Sequence, residues 1–527
     1  MTTTDTTRHA ALAMDIATFR TLGHRLVDQL ADCLAAVPRG PVTRDEAPST
    51  VRAALNLTGP LPESGSDPAQ LLEQTTRLLF EHSLFNAHPR FFGYITASPA
   101  PIGILGDFLA SALNPNVGSF VLSPAATEIE SQTVRWIAEL IGYPSDCGGL
   151  LVSGGNMANF VCFLAARASR AGKAGGASGA GKASETGKES GAGEASGAGR
   201  AGGDGRLRVY ASVETHTWIQ KAADLSGLGS TSIRWIPTDA KLRMDVAALR
   251  RQLEADNADG DVPCLVVGTG GSVSTGAVDP LPDIAAVCRE HGAWFHVDGA
   301  YGGFAAAVPE APDDLRGLSQ ADSVAVDPHK WLYAPLEAGC ALVRNPEALR
   351  AAFSYHPPYY HFDERATNYV DYGPQNSRGF RALKVWLALR HVGAAGYRKM
   401  IADDIRLSRA MAEAVSRHPD LELMTQDLSI TTFRYAPRDL QSTVRGEALE
   451  RHLDALNREL LDRLQRGGEL FVSNAIIGGR YALRACIVNF NTGLADVDAL
   501  PEIVARIGRR VDLDLRPTRL PDVQALP

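Results

Sequence analysis

The chain has 527 residues, of which 45% are hydrophobic, and a formal net charge of -8. A chain of this length can bury a large core in more than one structural unit, and its acidic balance without a Lys/Arg cluster argues against nucleic acid as a partner. Seven scattered cysteines without a CxxC pair predict reduced thiols and no metal site. A polar N-terminus without an apolar run of membrane-spanning length predicts no membrane contact and a cytoplasmic location.

The N-terminal segment, residues 1–94, is predicted to be helical. From Phe19 to Ala36, apolar side chains recur with a helical period, for example at Leu22, Leu26 and Leu30. One face of this helix therefore needs a packing partner. The pattern alone leaves open whether that partner is the same domain or another chain.

Residues 95–378 alternate short β-rich runs with helical stretches, which favours an α/β domain with a mostly parallel sheet and helices on both faces. Examples of strands are 207–211, 264–267 and 293–297, and residues 282–290 suggest a helix. Residues 379–527 begin with a long helical stretch and later show strand-like runs, including 431–435 and 485–490, so we predict a smaller C-terminal α/β domain.

The segment 170–205 is almost entirely Gly, Ala, Ser, Lys and Glu. It has no large apolar side chains to offset the entropy of ordering it. We predict a disordered surface insert between a helix and the next strand, in preference to a tether for a partner.

An anion site is indicated where the apolar run 149–152 is followed by Ser153, Gly154, Gly155 and Asn156 and then by a helical stretch. Backbone amides at such a glycine-rich helix start point towards an anion, and the helix dipole adds to the attraction. A Ser-Gly-Gly turn alone is weak evidence, because most such tripeptides are simply turns.

Two further residues suggest pyridoxal phosphate chemistry. Asp298 follows the buried run 293–297, and Lys330 follows the run 323–326. A lysine can form a Schiff base with an aldehyde cofactor, and a buried carboxylate can keep the pyridine nitrogen protonated so that the ring acts as an electron sink. Ligands in open α/β sheets bind beyond the carboxyl ends of strands. Each residue alone could be structural, but the pair is more specific.

The chain resembles the group II pyridoxal phosphate-dependent amino-acid decarboxylases, in particular the aromatic-L-amino-acid decarboxylases. The resemblance covers roughly residues 15 to 510 and is carried by the motifs HVDGAYGG (296–303), DPHKW (327–331), HPRFFGY (88–94), SPAATE (123–128) and FRALKVW (380–386). It implies the fold type I architecture, with a large domain like that of aspartate aminotransferase, and a homodimer in which the N-terminal helix packs against the second subunit.

The resemblance also implies roles for individual residues. Gly155, Asn156 and His329 would contact the phosphate, with Asp327 nearby. His216 would stack on the open face of the cofactor ring, opposite Ala300, and would reach the substrate carboxylate. A tyrosine on a loop would return a proton to Cα, and the alignment favours Tyr359 over its neighbour Tyr360.

The implied reaction is decarboxylation of an aromatic L-amino acid (tyrosine, phenylalanine, tryptophan or a hydroxylated form) to the amine and CO2 through the Lys330 Schiff base and a quinonoid intermediate. Aldehyde formation and action on an acidic or basic amino acid are the alternatives. Family members that make aldehydes tend to replace the histidine or the tyrosine, and both are present here. A non-catalytic protein would be expected to lack Lys330 or Asp298. Phe91, Phe92 and Tyr94 could line an aromatic pocket or belong to the core.

Overall fold

The structure is a computed structural model that describes residues 10–174, 206–356, 365–441 and 446–519. Most of the predicted insert lies outside these ranges. Its first residues, up to Ala174, continue a helix instead of starting a loop. A helix that has already begun extends at little entropic cost, and alanine favours it.

The described residues form fifteen α-helices and eleven strands. The helices are α1 Ile16–Ala36, α2 Pro48–Ala54, α3 Pro68–Glu81, α4 Pro101–Leu113, α5 Pro124–Leu140, α6 Gly155–Ala174, α7 Trp218–Leu225, α8 Val246–Ala258, α9 Leu281–His291, α10 Pro328–Trp331, α11 Pro346–Phe353, α12 Ala382–Arg417, α13 Arg438–Gln441, α14 Glu447–Gly467 and α15 Leu494–Arg519. The strands are β1 Gly148–Val152, β2 Leu207–Ser212, β3 Ile233–Ile236, β4 Val262–Thr269, β5 Trp294–Asp298, β6 Ser323–Val326, β7 Gly339–Val343, β8 Leu421–Asp427, β9 Ile430–Tyr435, β10 Ser473–Ile477 and β11 Arg480–Cys486.

The larger sheet has seven strands in the order β1-β7-β6-β5-β4-β2-β3. β7 is antiparallel to both of its neighbours, and the other neighbouring pairs are parallel. This confirms the predicted mostly parallel sheet. The five residues of β1 and the six of β2 are all buried, as expected for strands that helices cover on both faces.

The side chains of β4 show how the helices are arranged. Leu265 and Val267 belong to the core cluster that contains Trp218 and Ile219 of α7, whereas Val266 belongs to the cluster that contains Leu281 of α9. Successive side chains of a strand point to opposite faces of the sheet. The two helices therefore cover opposite faces, as the alternation in the sequence predicts.

The C-terminal part forms a second, antiparallel sheet of four strands in the order β10-β11-β9-β8. α12 precedes it and changes direction at Gly393, whose φ is +70°. The predicted strand 485–490 is partly wrong, since β11 ends at Cys486. The backbone N–H of Ile487 donates to the carbonyl of Ser429, outside the regular ladder.

The N-terminal segment contains α1 to α3. The predicted helix is confirmed, but none of the side chains of α1 is buried, and Phe19, Val27 and Leu34 are exposed. Leu22, Leu26 and Leu30 are partly buried and α1 contacts α3, so the described residues cover the apolar face of α1 only in part. The two sheets lie on either side of residue 378, and the boundaries at residues 94 and 378 stay a prediction.

Candidate active site

A cavity of about 540 Å³ opens at the carboxyl ends of the strands of the larger sheet. Side chains from three parts of the chain line it. They are Tyr94, Ile95 and Thr96 after the N-terminal segment; Gly155, Asn156, His216, Asp298, Ala300, His329 and Lys330 on the large sheet's side; and Ser473, Asn474 and Arg484 from the second sheet. The structure thus brings together every predicted site residue that it describes. Tyr359 and Tyr360 lie outside the described residues.

Asp298 and Lys330 meet because their strands are neighbours. β5 ends at Asp298, which lies opposite Ala325 of the parallel strand β6. After β6 the short helix α10 carries Lys330, whose Nζ lies 3.0 Å from Asp327 Oδ2. Parallel strands that end at the same sheet edge place both residues at one cavity. An amine and a buried carboxylate are the pair that a pyridine aldehyde requires.

The Asp298 carboxylate is buried and held by two donors. The indole Nε1 of Trp218 donates to Oδ2 at 2.7 Å, and the backbone N–H of Ala300 donates to Oδ1 at 3.2 Å. A carboxylate oxygen can accept more than one hydrogen bond. Each oxygen therefore keeps a lone pair that could accept from a protonated ring nitrogen.

The glycine turn after β1 provides the space that a phosphate would need. Gly154 has a φ of +102°, which L side chains rarely adopt, and a Cβ on Gly155 would lie 2.7 Å from Asp327 Oδ2 and 3.1 Å from the Ala300 Cβ. Oδ1 of Asp327 is buried without a hydrogen-bond partner among the described residues. The glycine turn at the start of α6 fits a phosphate, which accepts from backbone N–H groups, whereas the unpaired Asp327 oxygen can only accept and would need a donor such as bound water.

The two histidines of the site differ in exposure, since His329 is partly buried and His216 is exposed to the cavity, but partial desolvation favours the neutral form of both. This desolvation lowers the pKa of His216 and of His329 below the ordinary value for histidine. Nδ1 of His216 accepts the backbone N–H of Trp218 at 3.2 Å. The neutral ring then carries its proton on Nε2, which is free to donate to a substrate carboxylate. Nδ1 of His329 lies 2.7 Å from the Ala338 carbonyl.

Two residues of the site were not singled out from the sequence. Trp218 lies two positions after His216, so its closeness to that residue in the sequence could have indicated a place at the site. Arg484 lies on β11 and is 3% exposed. Its Nη1 donates to the Tyr94 carbonyl and Ser473 Oγ, whereas Nε and Nη2 have no partner among the described residues. No local sequence pattern identifies Arg484, because an arginine in an amphipathic strand is normally a surface residue.

The early aromatic residues divide between the two roles considered. Phe91 and Phe92 are core residues, 3% and 0% exposed, while Tyr94 lines the cavity. Tyr94 has a φ of +53°. This left-handed conformation is uncommon for a non-glycine residue and often marks functional positions.

Within the described ranges, no group of three or more His, Cys, Asp or Glu side chains could hold a metal ion. Among the same residues, no helix is both long and apolar enough to cross a membrane.

Comparisons with known proteins agree with this geometry. The family model described as "Pyridoxal-dependent decarboxylase conserved domain" matches residues 48–436. An aromatic-L-amino-acid decarboxylase of Bacillus atrophaeus is 30% identical, and the match covers 91% of this chain and 93% of that protein. A phenylacetaldehyde synthase of Petunia hybrida is 29% identical, and the match covers 90% of this chain and 91% of that protein. The crystal structure of Oryza sativa TDC with PLP and tryptamine superposes with a TM-score of 0.84 at 27% identity and covers 95% of this chain and 99% of that one. The expected fold type I architecture and pyridoxal phosphate cofactor are confirmed.

Proposed function

Because the chain belongs to the pyridoxal-dependent decarboxylase family, we propose that it decarboxylates an aromatic L-amino acid, such as tyrosine, phenylalanine, tryptophan or a hydroxylated form, to the corresponding amine. The observation that carries this proposal is the single cavity that joins Lys330, Asp298 and His216. The curated relatives that match along most of the chain include an aromatic-L-amino-acid decarboxylase, which supports the aromatic class.

Several residues would hold the cofactor. Lys330 would bind its aldehyde, Asp298 would accept from its ring nitrogen, Ala300 and His216 would lie on opposite faces of its ring, and the turn at Gly155 and Asn156 with His329 would receive its phosphate. When bound, the cofactor supplies the electron sink for the bond that breaks. Lys330 Nζ lies 3.0 Å from Asp327 Oδ2. That contact holds the amine inside the cavity.

The protein residues then have separate tasks. His216 Nε2–H donates to the substrate carboxylate and holds the bond from Cα to that group in place until CO2 leaves. Asp298 would accept a hydrogen bond from the protonated ring nitrogen of the bound cofactor and so keep the ring an electron sink. Cα then needs a proton, and we propose Tyr359 as its donor, with Tyr360 as the alternative. Comparing Tyr359→Phe with Tyr360→Phe tests that assignment.

One observation favours a second candidate, an acidic amino acid as substrate. Arg484 lines the cavity, and two of its guanidinium nitrogens lack a partner among the described residues. A carboxylate would satisfy them through charge-assisted hydrogen bonds. Since His216 is assigned to the α-carboxylate, the carboxylate at Arg484 would be that of an acidic side chain.

The test is a product assay on the purified, cofactor-loaded protein with a panel of aromatic, acidic and basic L-amino acids. The proposal expects amine and CO2 in equal amounts from an aromatic substrate, loss of turnover in Lys330→Ala, and normal turnover in Lys399→Ala, whose lysine is exposed. Aldehyde with peroxide would show that the protein is an aldehyde synthase. Turnover restricted to acidic substrates would establish the second candidate.

We also propose a homodimer in a reducing compartment such as the cytoplasm. Leu105, Phe108 and Leu109 of α4 are each about half exposed, and α1 exposes Phe19 and Val27. Large apolar patches usually mark protein interfaces. All seven cysteines are unpaired, which suits a reducing compartment. Sedimentation equilibrium of the wild type and of Phe108→Glu would test the dimer.

A further inference from the structure

Trp218 touches two of the residues that would contact the cofactor ring, Asp298 and His216. It is the first residue of α7 and is 2% exposed. Its indole N–H donates to Asp298 Oδ2 at 2.7 Å, and its backbone N–H donates to His216 Nδ1 at 3.2 Å. The indole also packs edge to face against His296, with 5.7 Å between ring centroids and an angle of 84°. Its position is therefore fixed by contacts on several sides.

The indole contact orients the Asp298 carboxylate. An indole N–H can donate but cannot accept, so Oδ2 must present a lone pair to it. A hydrogen bond to an ionised carboxylate is stronger than one to a neutral group. The contact therefore fixes the orientation of the Asp298 carboxylate and leaves its remaining lone pairs for the ring nitrogen, whose proton the electron sink needs.

His296 does not compete for this role. Its Nδ1 lies 2.9 Å from Ser323 Oγ and its Nε2 lies 2.7 Å from Asn159 Oδ1. Both ring nitrogens are thus occupied by neutral partners. Its ring supports the indole by packing.

We propose that Trp218 is a positioning residue for the decarboxylation: its side chain keeps the Asp298 carboxylate aimed at the ring nitrogen, and its backbone N–H holds His216 in the tautomer that donates from Nε2. The proposal rests on the proposed function, because it assumes that Asp298 receives the ring nitrogen of pyridoxal phosphate. It predicts an effect of Trp218 that depends on that nitrogen.

The test measures cofactor affinity in Trp218→Phe, which keeps an aromatic ring but lacks the N–H. The matched control is Trp386→Phe, because Trp386 also donates its indole N–H at 2.7 Å, to Gln132 Oε1, and does not line the cavity. Equilibrium dialysis gives the dissociation constant of pyridoxal 5'-phosphate and of its 1-deaza form, in which carbon replaces the ring nitrogen.

We expect Trp218→Phe to bind pyridoxal phosphate about 10-fold more weakly than the wild type, as for a lost hydrogen bond to a charged group. The 1-deaza form should bind to both proteins with affinities within about 2-fold, and Trp386→Phe should match the wild type with either form. Equal weakening for both forms would show a purely structural role and would overturn the proposal, as would unchanged affinity for pyridoxal phosphate.

If Trp218→Phe does not fold, Trp218→Leu carries the same comparison, because it also keeps an apolar side chain and lacks the N–H. A loss that is smaller for the 1-deaza form supports the proposal, and an equal loss for both forms overturns it. Since the readout is cofactor binding, a panel of amino acids that gives no product would contradict the proposed substrate class and leave this result intact.

Discussion

The buried ion pair between Arg378 and Glu130 connects the segment before α12 to the carboxyl end of β1. Arg378 is 3% exposed and Glu130 is 0% exposed. Arg378 donates to Glu130, to the Leu151 carbonyl at 2.7 Å and to the Val117 carbonyl at 2.9 Å, and the Leu151 N–H donates to Glu130 Oε1 at 2.8 Å. Because β1 leads directly into the glycine turn, this pair also supports the candidate phosphate site.

Replacing Arg378 by methionine leaves the Glu130 carboxylate buried with only the Leu151 N–H as a donor among the contacts just described. Removing one partner of a buried pair costs about 3–5 kcal/mol, and the lost bonds to two carbonyls overlap with that cost instead of adding in full. We therefore expect the free energy of unfolding to fall by about 3–5 kcal/mol. The double variant Arg378→Met, Glu130→Gln should regain at least about 1 kcal/mol, because it no longer buries a charge.

Urea unfolding followed by circular dichroism measures these changes as shifts in the midpoint at constant slope. Arg135→Met is the matched control, since Arg135 pairs with Glu139 on the same helix as Glu130 but both side chains are 52% exposed. An exposed pair of this kind contributes about 0–0.5 kcal/mol. If Arg378→Met is no less stable than this control, or the double variant is no more stable than Arg378→Met, the ion pair does not have the assigned energetic role.

Three further predictions concern the site and its surroundings. The side-chain amide of Gln can place a donor where His216 Nε2 lies, whereas the shorter Asn cannot. His216→Gln should therefore turn over about 10-fold faster than His216→Asn in steady-state assays. Equal rates would argue against a donor at Nε2. Gly155→Ala should weaken cofactor binding about 10-fold in a dialysis assay, because the added Cβ would meet Asp327. Gly467→Ala is the control, since a Cβ there meets no atom within 4 Å. Equal affinities of the two variants would show that the Cβ does not crowd the site. Burial raises the pKa of Asp404 to about 7, above an unfolded value of about 3.9, so the native state holds the extra proton and loses stability as pH rises between these values. Asp404→Asn should therefore become more stable relative to the wild type by roughly 1–3 kcal/mol between pH 5 and pH 8 in urea unfolding, and a constant difference would contradict this assignment.

Much of the site was predictable because its signals are local. Asp298 and Lys330 each follow a short buried strand, and the glycine turn at Gly154 and Gly155 stands between a strand and a helix. Strands β2, β4 and β5 were predicted to within a few residues, since buried parallel strands produce apolar runs that hydrophobicity alone marks. The end of β11 was missed because Ile487 and Val488 are as apolar and buried as strand residues although the ladder has already ended.

The contacts between distant parts of the chain were not predictable in this way. Arg484 reaches the cavity from a strand of the second sheet, and its partner Tyr94 is 390 positions earlier. Trp218 is close to His216 in the sequence, but its bond to Asp298 spans 80 positions. Neither residue type indicates its partner, because an arginine on a strand and a tryptophan at a helix start are common structural features.

The order of residues therefore determined the fold class, the cofactor and the two residues that would hold its reactive ends, because strand periodicity, a glycine turn and a lysine or carboxylate at a strand end are properties of short segments. Only the tertiary structure decided which side chains surround those residues, how Asp298 and His216 are both held by Trp218, and which apolar faces remain exposed. Strand order and the packing of the two sheets set these contacts, and both depend on interactions among segments hundreds of residues apart.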